Sequence, residues 1–109
     1  MADQHDPGVK APVPPEVDDL RKRIDLIDDQ LMKLLNSRSA CAVEIGRVKR
    51  HLGLAVYQPD RETWILDRVS GNNPGPLDSG AVKRVFERII DESRRLERLA
   101  QDAEKREGE

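Results

Sequence analysis

Several features that mark particular classes of protein are scarce or absent in this sequence of 109 residues. Cys41 is the only cysteine, which excludes an intramolecular disulfide and favours a reducing cytosol. Aromatic residues make up 3% of the chain, too few for the stacking platforms that bind single-stranded nucleic acids. No apolar run approaches the roughly 20 residues of a membrane-spanning helix, and the N-terminus lacks the apolar segment of a signal peptide. We therefore expect a cytoplasmic protein.

Charge of a single dominant sign is also lacking, although charged residues are abundant. The chain has 19 basic and 21 acidic residues, for a formal net charge of -2. Because no global excess of positive charge exists, we expect neither nucleic acid nor a membrane as a partner. The sequence contains no metal-ligand cluster, so we expect no metal site. A chain that is 37% charged suits helices with one solvated face.

The chain begins with a polar, proline-rich stretch and continues as one helical domain. Residues 1–15 contain four prolines and predict a disordered tail. Residues 16–104 form the predicted domain, and residues 105–109 a frayed C-terminus. No segment has a convincing strand pattern, so the expected fold class is all-α.

The strongest pattern is an apolar stripe in residues 16–52. Its apolar residues recur at alternating steps of three and four, which is typical of one long amphipathic helix that ends at Gly53. A charged residue, Arg38, occupies one of these positions, and Cys41 is expected to be a small core residue. The stripe consists of Val17, Leu20, Ile24, Ile27, Leu31, Leu34, Arg38, Cys41, Ile45, Val48 and Leu52.

The length of this first helix bears on the oligomeric state. Residues 16–52 would span about 55 Å at a rise of 1.5 Å per residue. A compact globule of this chain length has a radius of gyration of only about 13 Å. Such a helix would leave apolar surface uncovered on a monomer. We therefore predict an obligate homodimer in which the long helices pack together.

Two shorter helices follow the long one. Pro59 and Asp60 predict the start of a short second helix, and Gly71 its end. Asp78 or Ser79 is expected to cap a third helix of medium length. The predicted architecture is therefore all-α, with three helices per chain in an intertwined homodimer.

Polar residues occupy several positions that the helical patterns reserve for the core. Arg38 interrupts the first stripe, and Lys49, eleven residues later, returns to nearly the same face. Ser93 and Glu97 lie four apart on the apolar side of the third helix. One interpretation is an internal salt bridge from Arg38 to Glu97 or Glu62. The other is a bound ligand whose carboxylates neutralise the cations, since an unpaired buried charge is costly.

Three segments together resemble the all-helical (AroQ-class) chorismate mutase family. They read LRKRIDLIDDQLMKLLNSRSACAVEIGRVK, PDRE and VFERIIDESRRLE, and the match in order and spacing covers residues 17–100. The family pattern has an Arg in LRxxID, an Arg in LLxxR, a Lys in xEIGxxK, an Arg–Glu pair opening helix two, and Ser and Gln four apart on helix three. The resemblance implies three helices per chain in an interlocked dimer.

For activity, the resemblance implies an isomerase of aromatic amino acid biosynthesis, in the shikimate pathway, that converts chorismate to prephenate. This Claisen rearrangement breaks one C–O bond as one C–C bond forms, and it requires no nucleophile, metal or redox cofactor. The protein must hold a flexible dianion in a compact conformer and stabilise negative charge that grows on the ether oxygen.

The cationic residues carry the first part of the implied site. By resemblance, Arg38 and Arg21 of the partner subunit bind the substrate carboxylates. Lys49 contacts a carboxylate and the ether oxygen. The apolar walls would include Ile45, Ile65 and Ile90.

The remaining implied site residues lie on the second and third helices or just before them. By resemblance, Glu62 accepts a hydrogen bond from the ring hydroxyl, Arg61 supports the polar network and Ser93 bonds a carboxylate. Gln58 stands where the family often has Asp, and Glu97 where many members have Gln. The predicted catalytic residues are Arg38, Lys49, Glu62 and Glu97, and the predicted substrate-binding residues are these four with Arg21, Gln58, Arg61 and Ser93.

The replacement of Gln by Glu97 changes what this position can do. A Gln amide donates a hydrogen bond at any pH, whereas a carboxyl group donates only when it is protonated. Burial favours the neutral form, while Lys49 and the arginines favour the ionised form, which would repel the developing charge. We therefore predict an activity that rises toward acid pH.

Two other interpretations of the sequence stay open. An isochorismate-pyruvate lyase on the same fold would share the cationic pocket. A non-catalytic helical dimerisation module would instead pair Arg38 and Lys49 internally. A noncovalent partner enzyme from aromatic biosynthesis is also compatible with the sequence.

Overall fold

The computed structural model describes residues 12–108 and confirms the prediction of an all-helical chain with three helices. Helix α1 spans Pro15–Leu52, α2 spans Pro59–Gly71 and α3 spans Ser79–Glu107. This described part contains no strand. None of its helices is both long enough and apolar enough to cross a membrane.

Local sequence signals set the helix ends. Pro59 opens α2, where its fixed φ angle suits the first turn and its missing N–H would have had no helical partner. The side chain of Asp78 accepts a hydrogen bond from the backbone N–H of Ala81 at 3.1 Å and so caps α3. Gly53 follows α1 with a φ of 70°, a left-handed conformation that glycine adopts without a steric cost.

The two ends of the predicted domain are partly described. Of the predicted N-terminal tail, residues 1–11 lie outside the described residues, and α1 begins at Pro15. At the other end, α3 remains helical as far as Glu107, so it includes most of the segment 105–109 that the sequence predicts to fray. Basic residues in the last turn of α3 interact favourably with the helix dipole there.

The chain divides within α1 into two units, of which the first comprises the described residues 12–36. This unit is the N-terminal part of α1, and its apolar stripe is open to solvent in the single chain. Five leucines and isoleucines of the stripe are each at least 50% exposed: Leu20, Ile24, Ile27, Leu31 and Leu34.

The second unit, residues 37–108, brings the rest of α1 together with α2 and α3. Helix α2 packs against α3. The buried residues of this unit are Gly46 on α1 and both Ile90 and Ser93 on α3. Because so little is buried, side chains of intermediate exposure supply most of the packing in this unit.

The face of α1 that meets α3 differs from the predicted stripe. Cys41, expected in the core, is exposed, and Ile45 is 55% exposed. The residues that turn toward α3 are instead spaced four apart, at Arg38, Ala42 and Gly46. Arg38 therefore belongs to both the apolar stripe of α1 and the face of α1 that meets α3. Helices α2 and α3 leave the apolar stripe uncovered.

Candidate active site

A cavity of about 430 Å³ lies within the second unit, lined by α1, α2, α3 and the connection between α1 and α2. This volume falls in the range of small-molecule sites, about 300–1,000 Å³. Five arginines and two glutamates contribute to its lining, so positive charge dominates. Its apolar wall includes Ile65 and Ile90, as predicted, whereas Ile45 does not contribute to the lining.

Most of the predicted site residues come together at this cavity. Lys49 stands just outside the lining, and its Nζ donates a hydrogen bond to Gln58 Oε1 at 2.9 Å. Arg21 belongs to residues 12–36, the other unit of the chain. The predicted residues that line the cavity are Arg38, Gln58, Arg61, Glu62, Ser93 and Glu97.

Two cations of α1 at the cavity, Arg38 and Lys49, donate to neutral oxygens. A terminal nitrogen of Arg38 donates to Ser93 Oγ at 3.2 Å. Ser93 is only 6% exposed, which fixes this contact at the base of the cavity. Within residues 12–108, neither Arg38 nor Lys49 forms an ion pair with a carboxylate. The interpretation in which Arg38 pairs with Glu97 or Glu62 is therefore wrong for the single chain.

A glycine on α1 leaves room for the side chain of Glu97 on α3. Gly46 is buried, and a Cβ placed on it would lie 3.7 Å from both Cγ and Cδ of Glu97. The same Cβ would lie 3.2 Å from a terminal nitrogen of Arg50. Ala42, one helical turn before Gly46, also lines the cavity. Two small residues spaced four apart are a sequence signal that could have indicated this second face of α1, the one that meets α3.

Glu62 is held by a residue that the sequence interpretation did not assign to the site. Arg94 Nε donates to Glu62 Oε2 at 3.0 Å, and Arg94 Nη2 donates to Glu62 Oε1. This forked geometry is the strong form of an arginine–carboxylate pair. Arg94 follows Ile90 by four residues on α3, and that spacing could have placed it at the cavity.

Glu97 has a different environment from Glu62. Burial raises the pKa of the Glu97 carboxyl above its usual range, although Lys49, Arg50 and Arg94 act in the opposite direction. No cation of the described chain lies within ion-pair distance of it. The two carboxyl groups of the cavity therefore differ in their partners, since Glu62 is held by an arginine and Glu97 is not.

Arginines that were not predicted extend the positive lining toward the ends of α1 and α3. Arg50 donates to Glu104 Oε2 at 3.0 Å, and Arg98 lines the cavity nearby. Arg61, which was predicted, lies with its guanidinium carbon 4.6 Å from the centre of the Trp64 ring. Arg61 therefore lines the cavity and also forms a cation–π contact with Trp64.

Comparison with known proteins places these features in a family. A family model described as chorismate mutase type II matches residues 20–98. The solved structure of chorismate mutase (form II) from Thermus thermophilus is 34% identical. The match covers 76% of this chain and 94% of that one, with a TM-score of 0.74.

Curated relatives have similar names but differ in length. The bifunctional chorismate mutase/prephenate dehydratase of Pseudomonas aeruginosa is 40% identical over 83 residues, which are 72% of this chain and 23% of that protein. The chorismate mutase of Methanocaldococcus jannaschii is 28% identical over 81 residues, 73% of this chain and 82% of that protein. This chain thus spans less than a quarter of the length of the bifunctional relative.

Proposed function

The chain belongs to the chorismate mutase type II family, and on that premise we propose that it catalyses the rearrangement of chorismate to prephenate. The observation that carries the proposal is the cavity of the second unit, whose lining is rich in arginine. Arg38 and Lys49 donate there to the neutral oxygens of Ser93 and Gln58. Their charges are therefore available to a dianionic substrate.

The reaction asks the protein for conformation and charge stabilisation. The ether C–O bond breaks while the new C–C bond forms, and the electrons move within the substrate. Catalysis then depends on holding the two reacting ends together and on donors aimed at the ether oxygen, where negative charge grows. A cavity lined by fixed cations and hydrogen-bond donors can supply both.

The proposed roles combine the family resemblance with the contacts that each side chain makes. Arg38 binds a substrate carboxylate, and Ser93 both holds the Arg38 guanidinium and bonds the same carboxylate. Lys49 contacts a carboxylate and the ether oxygen. Burial raises the pKa of the Glu97 carboxyl, and its protonated form donates a second hydrogen bond to that oxygen. Glu62 accepts a hydrogen bond from the ring hydroxyl.

The proposal includes a homodimer with a shared site. The apolar stripe of α1 is exposed along residues 17–34 and again at Ile45, more apolar surface than a monomeric helix usually leaves open. Packing against a second copy would bury it. In that dimer we assign Arg21 of the partner subunit to a substrate carboxylate.

Incubation of the purified protein with chorismate tests the proposal directly. We expect chorismate to disappear and prephenate to form in equal amounts. Arg38→Ala should lower kcat/KM by about a hundredfold or more, because it removes a donor that binds the dianion. Arg88→Ala, which removes an exposed arginine paired with Glu92, is the matched control and should leave the rate unchanged.

Other outcomes would identify the rival functions. Release of pyruvate from isochorismate, without conversion of chorismate, would instead identify a lyase on this fold. No conversion of either compound, with no binding of chorismate, would leave a dimerisation module and refute the proposal.

A further inference from the structure

Arg94 has a position in the cavity that the proposed reaction does not by itself require. It lies on α3 directly after the buried Ser93, and its side chain is 38% exposed. Its guanidinium reaches across to Glu62 on α2, whose side chain is 23% exposed. The pair therefore joins two helices on the wall of the cavity rather than at the outer surface.

The geometry of the pair restrains the carboxylate fully. Nε and Nη2 of Arg94 each bond a different oxygen of Glu62, so the carboxylate plane and its rotation are both set. Each carboxylate oxygen has a second lone pair and can still accept a hydrogen bond from a ligand. A partly buried carboxylate without this partner would lose both its orientation and the compensation of its charge.

A second contact ties the same guanidinium to the connection between α1 and α2. The Arg94 guanidinium carbon lies 5.4 Å from the centre of the Tyr57 ring. Tyr57 also lines the cavity, next to Gln58, which accepts from Lys49. Arg94 thus holds α2 and this connection in a common arrangement around the cavity.

The edge of the Arg94 guanidinium that could bind a carboxylate with two parallel hydrogen bonds is already paired, which favours one of two roles. Its Nε and Nη2 donate to Glu62, and the remaining nitrogen, Nη1, lies 3.6 Å from Asp91 Oδ1. A substrate carboxylate would have to displace Glu62 to form the same forked pair, or to bind at Nη1 beside the negative charge of Asp91. Direct binding of a substrate anion is therefore the weaker interpretation, and orientation of Glu62 is the stronger one.

We propose that Arg94 is a positioning residue that holds the Glu62 carboxylate on the cavity wall, in the orientation that accepts the ring hydroxyl of the substrate. The inference rests on the proposed function. Arginine suits this role better than lysine, because the planar guanidinium fixes both oxygens whereas an ammonium group acts as a point charge.

Steady-state kinetics with chorismate on two variants of Arg94 test the inference. Arg94→Gln should raise KM and lower kcat/KM by about tenfold to a hundredfold, the usual effect of losing hydrogen bonds to a charged group. Arg94→Lys should recover part of this loss. Arg95→Gln is the matched control on the neighbouring position, since Arg95 is 65% exposed and lies 3.9 Å from Glu92.

A double-mutant cycle separates positioning from a structural effect. If Arg94 acts through Glu62, then Arg94→Gln should cost much less in a Glu62→Gln background than in the wild type. A variant that merely folds less completely would lower kcat in proportion to the active fraction and leave KM unchanged. That result would overturn the inference, as would an Arg94→Gln enzyme that matches Arg95→Gln or that binds chorismate more tightly.

The activity of the wild type distinguishes failure of the inference from failure of the proposed function. A wild-type protein that converts chorismate, together with additive effects at Arg94 and Glu62, would reject the inference alone. A wild-type protein that neither binds nor converts chorismate would reject the proposed function, and the inference with it.

Discussion

At the scale of single residues, the two glutamates of the cavity illustrate how surroundings assign different tasks to the same side chain. Glu62 receives both donors of an arginine fork, which orients its two oxygens as hydrogen-bond acceptors. Glu97 is half-buried beside Gly46, and its burial raises the pKa of its carboxyl. The protonated form can donate a hydrogen bond, which the carboxylate cannot.

The first prediction concerns the pH dependence of Glu97. Because its carboxyl must be protonated to donate, and because its pKa is raised, kcat/KM of the wild type should fall as pH rises through that pKa. Glu97→Gln should flatten the profile and exceed the wild type at about pH 7 to 8, since an amide donates at any pH. The measurement is kcat/KM for chorismate from about pH 4 to 9.

Two results would contradict this role for Glu97. One is a wild-type rate that does not improve below neutrality. The other is a Gln variant that gains nothing above neutrality. Glu92→Gln is the control, because Glu92 pairs with exposed arginines on the outer side of α3 and should leave the profile unchanged.

At the scale of helices, small residues on α1 leave space for longer side chains next to the cavity. Ala42 and Gly46 face α3 at a spacing of four residues, with Arg38 one turn earlier. The gap they leave is filled by the side chain of Glu97 and by Arg50. A larger residue at Gly46 would compete with the Glu97 side chain for this space.

The second prediction tests this close approach at Gly46. An added Cβ would make ordinary contacts at 3.7 Å with Glu97 and a tight one at 3.2 Å with the flexible end of Arg50. Gly46→Ala should therefore keep activity, and should raise the free energy of unfolding by roughly 0.5–1 kcal/mol because alanine favours the helix. Gly46→Leu should displace Glu97 and lower kcat/KM at least tenfold, since misplaced catalytic groups lose their alignment.

Matched measurements make the Gly46 result specific. Ala40→Leu places the same side chain at an exposed position of α1 and should leave the kinetics unchanged. Chemical denaturation and chorismate kinetics on all three variants give both quantities. Normal activity in Gly46→Leu would show that the space beside Gly46 does not control the position of Glu97.

At the scale of the whole molecule, the apolar stripe of α1 is a surface that a single chain does not bury. Leu20, Ile27 and Leu34 are each half exposed or more. Burial of such side chains is the main favourable term in protein association. The proposed homodimer covers this stripe, and it also brings Arg21 of one subunit to the cavity of the other.

The third prediction is complementation between two inactive variants. Arg21→Ala and Arg38→Ala should each be nearly inactive as homodimers, because every site lacks one arginine. When the two are unfolded together and refolded in equal amounts, half of the dimers combine both variants and each has one intact site. The mixture should then recover about a quarter of the wild-type activity in a symmetric two-site dimer.

The mass of the protein in solution completes that test. Light scattering on the wild type should give twice the chain mass of 12.4 kDa. A monomer, or a mixture with no recovery, would mean that Arg21 does not complete the site of another subunit.

The sequence predicted the helices well because the signals for their ends act over short distances. Pro59 opens α2, Asp78 caps α3 and Gly53 ends α1, each through the backbone geometry of a few neighbouring residues. The alternating steps of three and four likewise predicted one uninterrupted helix, since periodicity needs no knowledge of tertiary contacts.

The candidate site was predicted in part. Arg38, Ser93 and Glu97 interrupt apolar patterns, so the sequence alone could mark them. Arg94 was missed as a site residue, although it follows Ile90 by four residues, because its forked pair with Glu62 forms only when α2 packs on α3. Ile45 was wrongly placed in the wall, since it shares the stripe of Arg38 but not the face that meets α3.

The sequence by itself therefore determined the three helices and their ends, because these follow from local backbone preferences and helical periodicity. It also marked Arg38, Ser93 and Glu97 as polar residues on apolar faces, while the family resemblance added Gln58, Arg61 and Glu62. Only the tertiary structure decided which of two diverging faces of α1 lines the cavity, at Arg38 and Ala42 rather than at Cys41 and Ile45. It also decided which carboxyl is paired with an arginine and which is partly buried without an ion-pair partner. The physical reason is that burial and charge pairing depend on which helices meet, and residues far apart in the chain set those distances.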